Sequence, residues 1–222
     1  MNIFFRILVF VLITGVIIAG IVVDIPYIPA LKDTARVLYF HVPMSWIGVV
    51  AFLMSMIYGV KYLRSGNLEY DIKSVSAAQM GFIFCILATV TGAVWAKFVW
   101  GAFWNWDPRQ TSIFILLLIY GAYFALRSSI DSPERKARLS SVYAILAFVT
   151  VPFFVFIMPR IVESLHPDPI INSEGKIKMD SSMLAIFLTS IFAFSLLFVW
   201  MYNLKVRAEK IFHKISNKEA SE

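Results

Sequence analysis

The chain has little charge and almost no cysteine, and both shortages restrict what it can be. Only 15% of its 222 residues are charged, whereas 59% are hydrophobic and the mean hydropathy is +0.77. Soluble domains carry about 25% charged residues, so this composition indicates a protein embedded in a lipid bilayer. With Cys85 as the single cysteine, the chain cannot form an internal disulfide, a Cys-x-x-Cys redox pair or the covalent Cys-x-x-Cys-His attachment of c-type haem.

Motifs for several kinds of chemistry are also missing from the sequence. It contains no Gly-rich phosphate loop, no nucleophile constellation and no paired carboxylates of the glycosidase or protease kind. We therefore expect no enzyme, and no pump that uses a nucleotide held by this chain. The net charge of +6 could suggest a nucleic-acid partner, but the basic residues flank apolar runs, which predicts a lipid bilayer as the partner and no nucleic acid.

Six long apolar runs have no charged residue in their interiors. A charge at the bilayer centre costs about 2.5–3.5 kcal/mol on insertion scales, and a span needs about 17–25 residues. We predict an all-α, polytopic protein with one six-helix domain over residues 1–222, and Pro152 is expected to kink the fifth helix. The predicted spans are 3–23, 41–60, 76–96, 109–126, 142–158 and 182–204.

The first span shows no small-residue cleavage site before Asp24, so we expect an uncleaved anchor rather than a removed signal peptide. The basic residues favour one side of the membrane. Thirteen of the 20 Lys and Arg residues lie at the two termini and in the loops after spans two and four, whereas seven lie in the other three loops. The positive-inside rule then predicts that both termini are cytoplasmic. In a bacterium the other three loops face the periplasm.

Tryptophan is concentrated in one of those outer loops, predicted at residues 97–108. Four of the six Trp residues fall within positions 95–106. Trp often forms an interfacial belt at a membrane surface, but one or two aromatic residues per helix end are usual there. The density favours a flat apolar platform for a planar ligand, formed by Trp100, Trp104 and Trp106 with Gly101 and Phe103 among them.

Two of the three histidines are predicted on the same outer face. His41 opens span two and His166 lies in the third outer loop, whereas His213 in the basic tail is expected to be a solvated surface residue. A single interfacial His is most often an ordinary helix-end residue. Two neutral imidazoles above an aromatic platform are compatible with axial ligation of haem iron, bound non-covalently as b-type haem. Zinc normally requires three or four protein ligands.

Asp107 and Arg109 each have two interpretations. Asp107 precedes Pro108, and this pair is a strong helix-start signal, so Asp107 could cap span four or accept hydrogen bonds from Trp N–H groups. Arg109 could neutralise Asp107 or bind a haem propionate through its planar fork of donors.

The stretch Trp-Gly-Ala-Phe-Trp-Asn-Trp-Asp at residues 100–107 resembles the tryptophan-rich "WWD" signature of the haem-handling proteins of cytochrome c assembly. Within that superfamily the chain is most similar to the cytochrome c maturation protein C family, the haem-exporter-type component. The resemblance covers nearly the whole chain: six spans, Phe40-His41-Val42-Pro43 at the start of span two, and Leu165-His166-Pro167 between spans five and six.

This resemblance implies that the protein binds haem at the periplasmic face of the bacterial inner membrane, with His41 and His166 as axial ligands. It also implies delivery of haem to a periplasmic haem chaperone, with the help of a small membrane subunit and an ATP-binding cassette complex. Two features depart from the family pattern. Phe103 stands where a further Trp would be usual, and the segment after His166 is rich in proline and charge.

Two alternatives remain at this point. The haem-delivering subunit of the synthase from the other assembly pathway shares the signature, but that class is larger and carries histidines inside its spans, whereas the interiors of the six predicted spans contain none. The second alternative is a non-haem membrane transporter or scaffold whose Trp-rich loop serves only as an interfacial anchor.

Overall fold

A computed structural model describes residues 2–26, 28, 31–167, 177 and 179–219 of the chain. Within these residues the structure is helical and has no strands, and six helical segments are long and apolar enough to cross a membrane. The predicted all-α, six-span fold is confirmed. The segment after His166 that is rich in proline and charge, residues 168–176, lies outside the described residues.

Seven α-helices follow one another along the chain, with one 3₁₀ segment and one π segment between them. The six spans correspond to α1, α2, α3, α4, the α5–α6 unit with its π segment, and α7. In order, the elements are α1 (Ile3–Val22), the 3₁₀ segment (Lys32–Val37), α2 (Leu38–Ser65), α3 (Leu68–Trp100), α4 (Pro108–Ser128), α5 (Pro133–Pro152), the π segment (Phe153–Ile157), α6 (Met158–Ile161) and α7 (Ser181–Glu219).

Short polar side chains begin five of these helices. Each accepts a hydrogen bond from a backbone N–H of the first turn, which satisfies a donor that has no partner within the helix. Proline follows the cap in α4 and α5, where its fixed φ suits the first helical position. These caps are Asn2, Asn67, Asp107, Ser132 and Asp180.

The third helix is longer than its predicted span, and this corrects the predicted Trp-rich loop. The helix continues to Trp100 and ends at Gly101, whose φ of 84° suits a residue without a Cβ. The sequence predicts that Lys97 opens the loop, but it lies within α3, where its ammonium group donates to the Gly101 carbonyl (2.9 Å) and stabilises the last turn. The loop therefore comprises residues 101–107 instead of 97–108.

The predicted kink at Pro152 takes the form of a change in helix type. Pro152 ends α5, and the next five residues form the π segment before α6 begins at Met158. Proline has no N–H to donate to the preceding turn. The nearby Thr150 hydroxyl donates to the Ala147 carbonyl (2.7 Å) and satisfies one acceptor in this part of the helix.

Helices α2 and α3 pack along each other in the middle of the molecule. One group of buried side chains joins them to α4 and α5, and it includes Phe52 stacked on Tyr120 with ring centroids 3.5 Å apart. A second group joins α2 and α3 to α7 through residues such as Ile47 and Phe84. Residues 75–85 of α3 contribute to both groups, so this part of the helix is packed on two sides.

The two ends of the bundle have different chemistry. At one end Arg127 of α4 makes a bidentate ion pair with Asp71 of α3, with N···O distances of 2.8 and 2.6 Å; we call this the ion-pair end. The opposite end carries His41, the loop 101–107 and His166, and we call it the histidine end.

Candidate functional site

His41 lies on the first turn of α2 and its ring rests against α3. The ring nitrogen Nδ1 is 3.1 Å from the Thr91 hydroxyl oxygen. Gly92 makes room for this contact, because a Cβ at that position would lie only 2.8 Å from Cε1 of His41. A glycine on α3 thus lets the imidazole approach the helix backbone.

His166 lies in the connection between α6 and α7, and it also packs on α3. Its ring contacts Trp100 edge to face, with centroids 4.7 Å apart, and lies 5.7 Å from the ring of Trp95. Its Nδ1 atom is 2.8 Å from Oδ1 of Asp107. Two indoles and one carboxylate therefore fix the position of this imidazole.

The structure brings the two histidines together at one end of the bundle. His41 contacts Thr91, and His166 contacts Trp95, which is four residues further along α3. Four residues correspond to about 6 Å along a helix. His41 also interacts electrostatically with His166 and with Arg109. Although 125 positions separate them in the printed chain, the two imidazoles lie beside adjacent turns of one helix.

Asp107 connects three parts of the site. It caps α4 by accepting the Arg109 N–H (2.9 Å), and it also accepts the Leu165 N–H (2.7 Å) and the Ser164 hydroxyl (3.0 Å). Together with the contact to His166, these bonds attach the loop 164–166 to the start of α4. Asp107 therefore has the expected capping role. Its described hydrogen-bond donors are backbone amides, a serine hydroxyl and an imidazole rather than Trp indoles.

The Asp107 carboxyl is only 3% exposed. Burial raises the pKa of this group, but the hydrogen bonds from the Arg109 and Leu165 amides, the nearby His166 and the Ser164 hydroxyl outweigh burial and leave the pKa below its ordinary value. Asp107 is therefore ionised at neutral pH. An anion thus stands directly behind one of the two imidazoles.

The tryptophans form two groups rather than the single predicted platform. Trp95 and Trp100 contact each other (5.0 Å) and both contact His166. Trp104 instead contacts Trp106 (5.8 Å) and Phe114 (5.9 Å). The first group belongs to the histidine site, whereas the second forms the surface of the loop. The helical extension to Trp100 separates the groups, because it places Trp100 in the last turn of α3, where its ring contacts that of Trp95.

Trp106 has an unusual backbone conformation. It is the one non-glycine with positive φ (56°) among the described residues, and its side chain is 72% exposed. The left-handed conformation costs an L-residue about 1–2 kcal/mol, so this loop holds an indole outward at an energetic cost. Phe103 is similarly exposed at 56%. Two large apolar rings therefore protrude beside the histidine site.

Three polar residues that sequence reasoning missed shape the site: Thr91, Ser164 and Gln110. Gln110 accepts the Asn105 N–H (2.9 Å) and donates to the Phe103 carbonyl (3.2 Å), which braces the loop from within. Thr91 precedes Trp95 by one helical turn, so the sequence spacing alone places both side chains on one face of α3. Ser164 has no comparable local signal.

The donor set fits haem better than a bare cation. Among the residues that the structure describes, no three His, Cys, Asp or Glu side chains group in a way that could hold a metal ion. Two imidazoles suffice for haem, because the porphyrin supplies the other four ligands to iron. Trp95 adds a second observation: its indole N–H is buried beside His166 and has no hydrogen-bond partner among the residues that the structure describes. A ligand with carboxylate groups would supply one.

A family model described as heme exporter protein C matches residues 1–221 of this chain. The heme exporter protein C of Bradyrhizobium diazoefficiens is 31% identical over 176 residues, which cover 79% of this chain and 66% of the relative. That of Rhodobacter capsulatus is 28% identical over 176 residues, covering 79% and 73%, and that of Paracoccus denitrificans is 31% identical over 128 residues, covering 54% and 53%.

The alignments thus span between about half and three quarters of the relatives' own lengths. The family model spans nearly the whole chain, and the resemblance found in residues 100–107 is confirmed. This chain belongs to the heme exporter protein C family.

Proposed function

We propose that the protein binds b-type haem non-covalently at the histidine end, with His41 and His166 as the axial ligands of the iron. The observation that carries this proposal is the position of the two imidazoles beside adjacent turns of α3. Haem iron takes axial nitrogen donors, and surrounding apolar rings control solvent access to it. The site combines both features.

The groups around the two imidazoles match the rest of the haem molecule. Trp95 and Trp100 flank His166 and offer apolar surface to the porphyrin edge. Arg109 interacts with His41 and carries the positive charge that propionates require. The buried Trp95 N–H is a second donor for a propionate. We assign the propionate edge of haem to this side of the site.

The charge distribution supports a location at the periplasmic face of a bacterial inner membrane. The ion-pair end includes the loops and termini that hold thirteen of the 20 Lys and Arg residues. By the positive-inside rule that end is cytoplasmic, as are both termini. The histidine end then faces the periplasm, where cytochromes c are assembled.

We propose that the protein delivers its haem to a periplasmic haem chaperone for cytochrome c maturation. The family resemblance supports this role, as do relatives named heme exporter protein C. The exposed rings of Phe103 and Trp106 lie beside the site and offer apolar surface to such a partner. Because the sequence has no phosphate loop, any energy for transfer comes from the ATP-binding cassette complex and small membrane subunit that the family resemblance implies.

The experiment that tests this function uses the colour of the detergent-extracted protein. We expect a Soret band and a pyridine haemochrome spectrum of b-type haem in the parent. His41→Ala and His166→Ala should each weaken or shift the Soret band, and the double variant should lose it, because iron loses its protein ligands. The matched control is His213→Ala. His213 lies in the C-terminal part of α7, away from the histidine end, so this variant should leave the spectrum unchanged.

An unchanged Soret band in the double variant would reject the axial assignment. A colourless parent would favour a non-haem transporter or scaffold. A parent that attaches haem to a cytochrome without a chaperone would instead favour a synthase subunit.

A further inference from the structure

We propose that the two axial bonds to iron are unequal, because Asp107 strengthens His166 as a ligand whereas Thr91 leaves His41 as the weaker ligand that releases first. The inference rests on the proposed haem site and extends it to the order of release. Asp107 and Thr91 act through the imidazoles, so both are positioning residues.

The hydrogen bond behind His166 involves a full negative charge. Nδ1 of His166 lies 2.8 Å from Oδ1 of Asp107, and an ionised carboxylate can only accept a hydrogen bond. The proton on the neutral imidazole is therefore at Nδ1, which leaves the lone pair for iron at Nε2. A carboxylate behind a ligating histidine fixes the tautomer and raises the basicity of the ligand.

The hydrogen bond behind His41 has the same direction but a neutral acceptor. The single hydroxyl hydrogen of Thr91 is directed to helix carbonyls, those of Leu87 (2.8 Å) and Ala88 (3.1 Å). The Thr91 oxygen can then contact Nδ1 of His41 only as an acceptor, so Nδ1 again carries the proton. The backbone carbonyl of Ala88 is a second neutral acceptor for His41. Both histidines present Nε2 to iron.

The two acceptors differ in strength. A hydrogen bond to an ionised group is roughly twice as strong as one between neutral groups. The imidazole of His166 therefore gains anionic character and becomes the stronger donor to iron, and His41 gains much less. Asp107 also holds the loop around His166 through Leu165 and Ser164. Haem that dissociates from His41 first thus remains bound to His166, whose loop is held by Asp107.

Carbon monoxide distinguishes the two ligands in the haem-loaded, full-length protein in detergent. It replaces the weaker axial ligand of ferrous haem, and resonance Raman spectroscopy after photolysis then reports the iron–histidine stretching band of the ligand that stays. We expect Asp107→Asn to lower this frequency, because His166 loses its anionic partner, and Thr91→Val to leave it unchanged.

The rate of carbon monoxide binding provides the second readout. Departure of the weaker ligand limits this rate, so Thr91→Val should raise it by about fivefold, which corresponds to ~1 kcal/mol for one neutral hydrogen bond. Asp107→Asn should change this rate little and should accelerate haem transfer to apomyoglobin by about 10- to 100-fold, as is typical when the partner of a ligating histidine is removed.

The opposite pattern overturns the inference: a lowered frequency in Thr91→Val, or equal effects of both substitutions. If Asp107→Asn does not fold, Thr91→Val decides alone, because faster carbon monoxide binding with an unchanged band supports the inference and a lowered band rejects it. A parent without haem, or without the spectrum of two histidine ligands, rejects the proposed function and the inference with it. A parent with that spectrum and reversed variant effects rejects only the inference.

Discussion

Among the described residues, each end of the bundle buries one aspartate, and the partners of these two residues differ. Asp71 is 6% exposed and directs both oxygens to the fork of Arg127, a side chain that keeps its charge at any physiological pH. Asp107 is 3% exposed and divides its oxygens among backbone amides, a serine hydroxyl and His166. The first arrangement links two helices permanently. The second supports a side chain that can bind a metal.

This contrast separates stability from binding. At the ion-pair end, further polar contacts also join helices to each other, such as Tyr62 of α2 donating to the Glu134 carbonyl of α5 (3.2 Å). At the histidine end, the contacts of Thr91, Ser164 and Gln110 instead involve an imidazole, its partner Asp107 or the loop between α3 and α4. We therefore expect substitutions at the first end to change the free energy of unfolding and those at the second to change haem affinity.

Breaking the ion pair should have the largest effect. Arg127→Ala leaves Asp71 buried without its partner, and the loss of one member of such a pair costs about 3–5 kcal/mol in the free energy of unfolding. Denaturation in detergent, followed by circular dichroism, measures this loss. The haem content of the protein that remains folded should equal that of the parent.

The matched control is the double variant Asp71→Leu with Arg127→Met, which removes both charges and should recover most of the stability. Haem loss in folded Arg127→Ala would contradict the separation of the two ends.

A smaller effect is expected from filling the space beneath His41. In Gly92→Ala the new Cβ would meet the imidazole at 2.8 Å, so the ring must move from its place. Overpacking of this kind costs about 1–3 kcal/mol. If this cost falls on the haem-bound state, haem should dissociate roughly 5- to 150-fold faster than from the parent. Stopped-flow transfer of haem to apomyoglobin measures the rate.

Gly121→Ala in α4 is the control, because nothing lies within 4 Å of the added Cβ. If both alanine variants dissociate haem at the parental rate, His41 is not held by its contact with α3.

The two aromatic groups give the smallest predicted difference. The ring of Trp100 contacts His166. Among the described residues, the ring of Trp104 instead contacts Trp106 in the loop and Phe114 in α4. Loss of an aromatic contact costs about 0.5–1.5 kcal/mol beyond area burial, so Trp100→Ala should accelerate haem dissociation several-fold. Trp104→Ala should change it less. The reverse order in the same transfer assay would restore the single-platform interpretation.

The fold was largely predictable because charge is excluded from the bilayer interior. That rule marked all six spans, and the Asp107–Pro108 pair marked the start of α4. The rule fails at helix ends, since backbone hydrogen bonding does not stop at the membrane surface. Lys97 therefore lies inside α3, and the conformation of Gly101 determines where the helix ends.

The site was only partly predictable. Its residue types were visible as an unusual density of Trp and a paucity of His, but the contact of Asp107 with residues 164–166 joins segments 57 or more positions apart, and no local pattern records it. The division of the tryptophans was equally hidden, because it follows from one extra turn of α3. Thr91 carries no signal of its contact with His41 in the sequence, because a hydroxyl within an apolar helix usually bonds its own backbone. This hydroxyl does so and also lies 3.1 Å from Nδ1 of His41.

The most direct test of the account is the near-infrared magnetic circular dichroism of the ferric, haem-loaded protein, since this spectrum reports the chemical identity of both axial ligands. We predict a low-spin spectrum of two imidazole ligands in the parent and its loss in both His41→Ala and His166→Ala. The same spectrum in either variant would contradict the assignment of these two histidines to one iron.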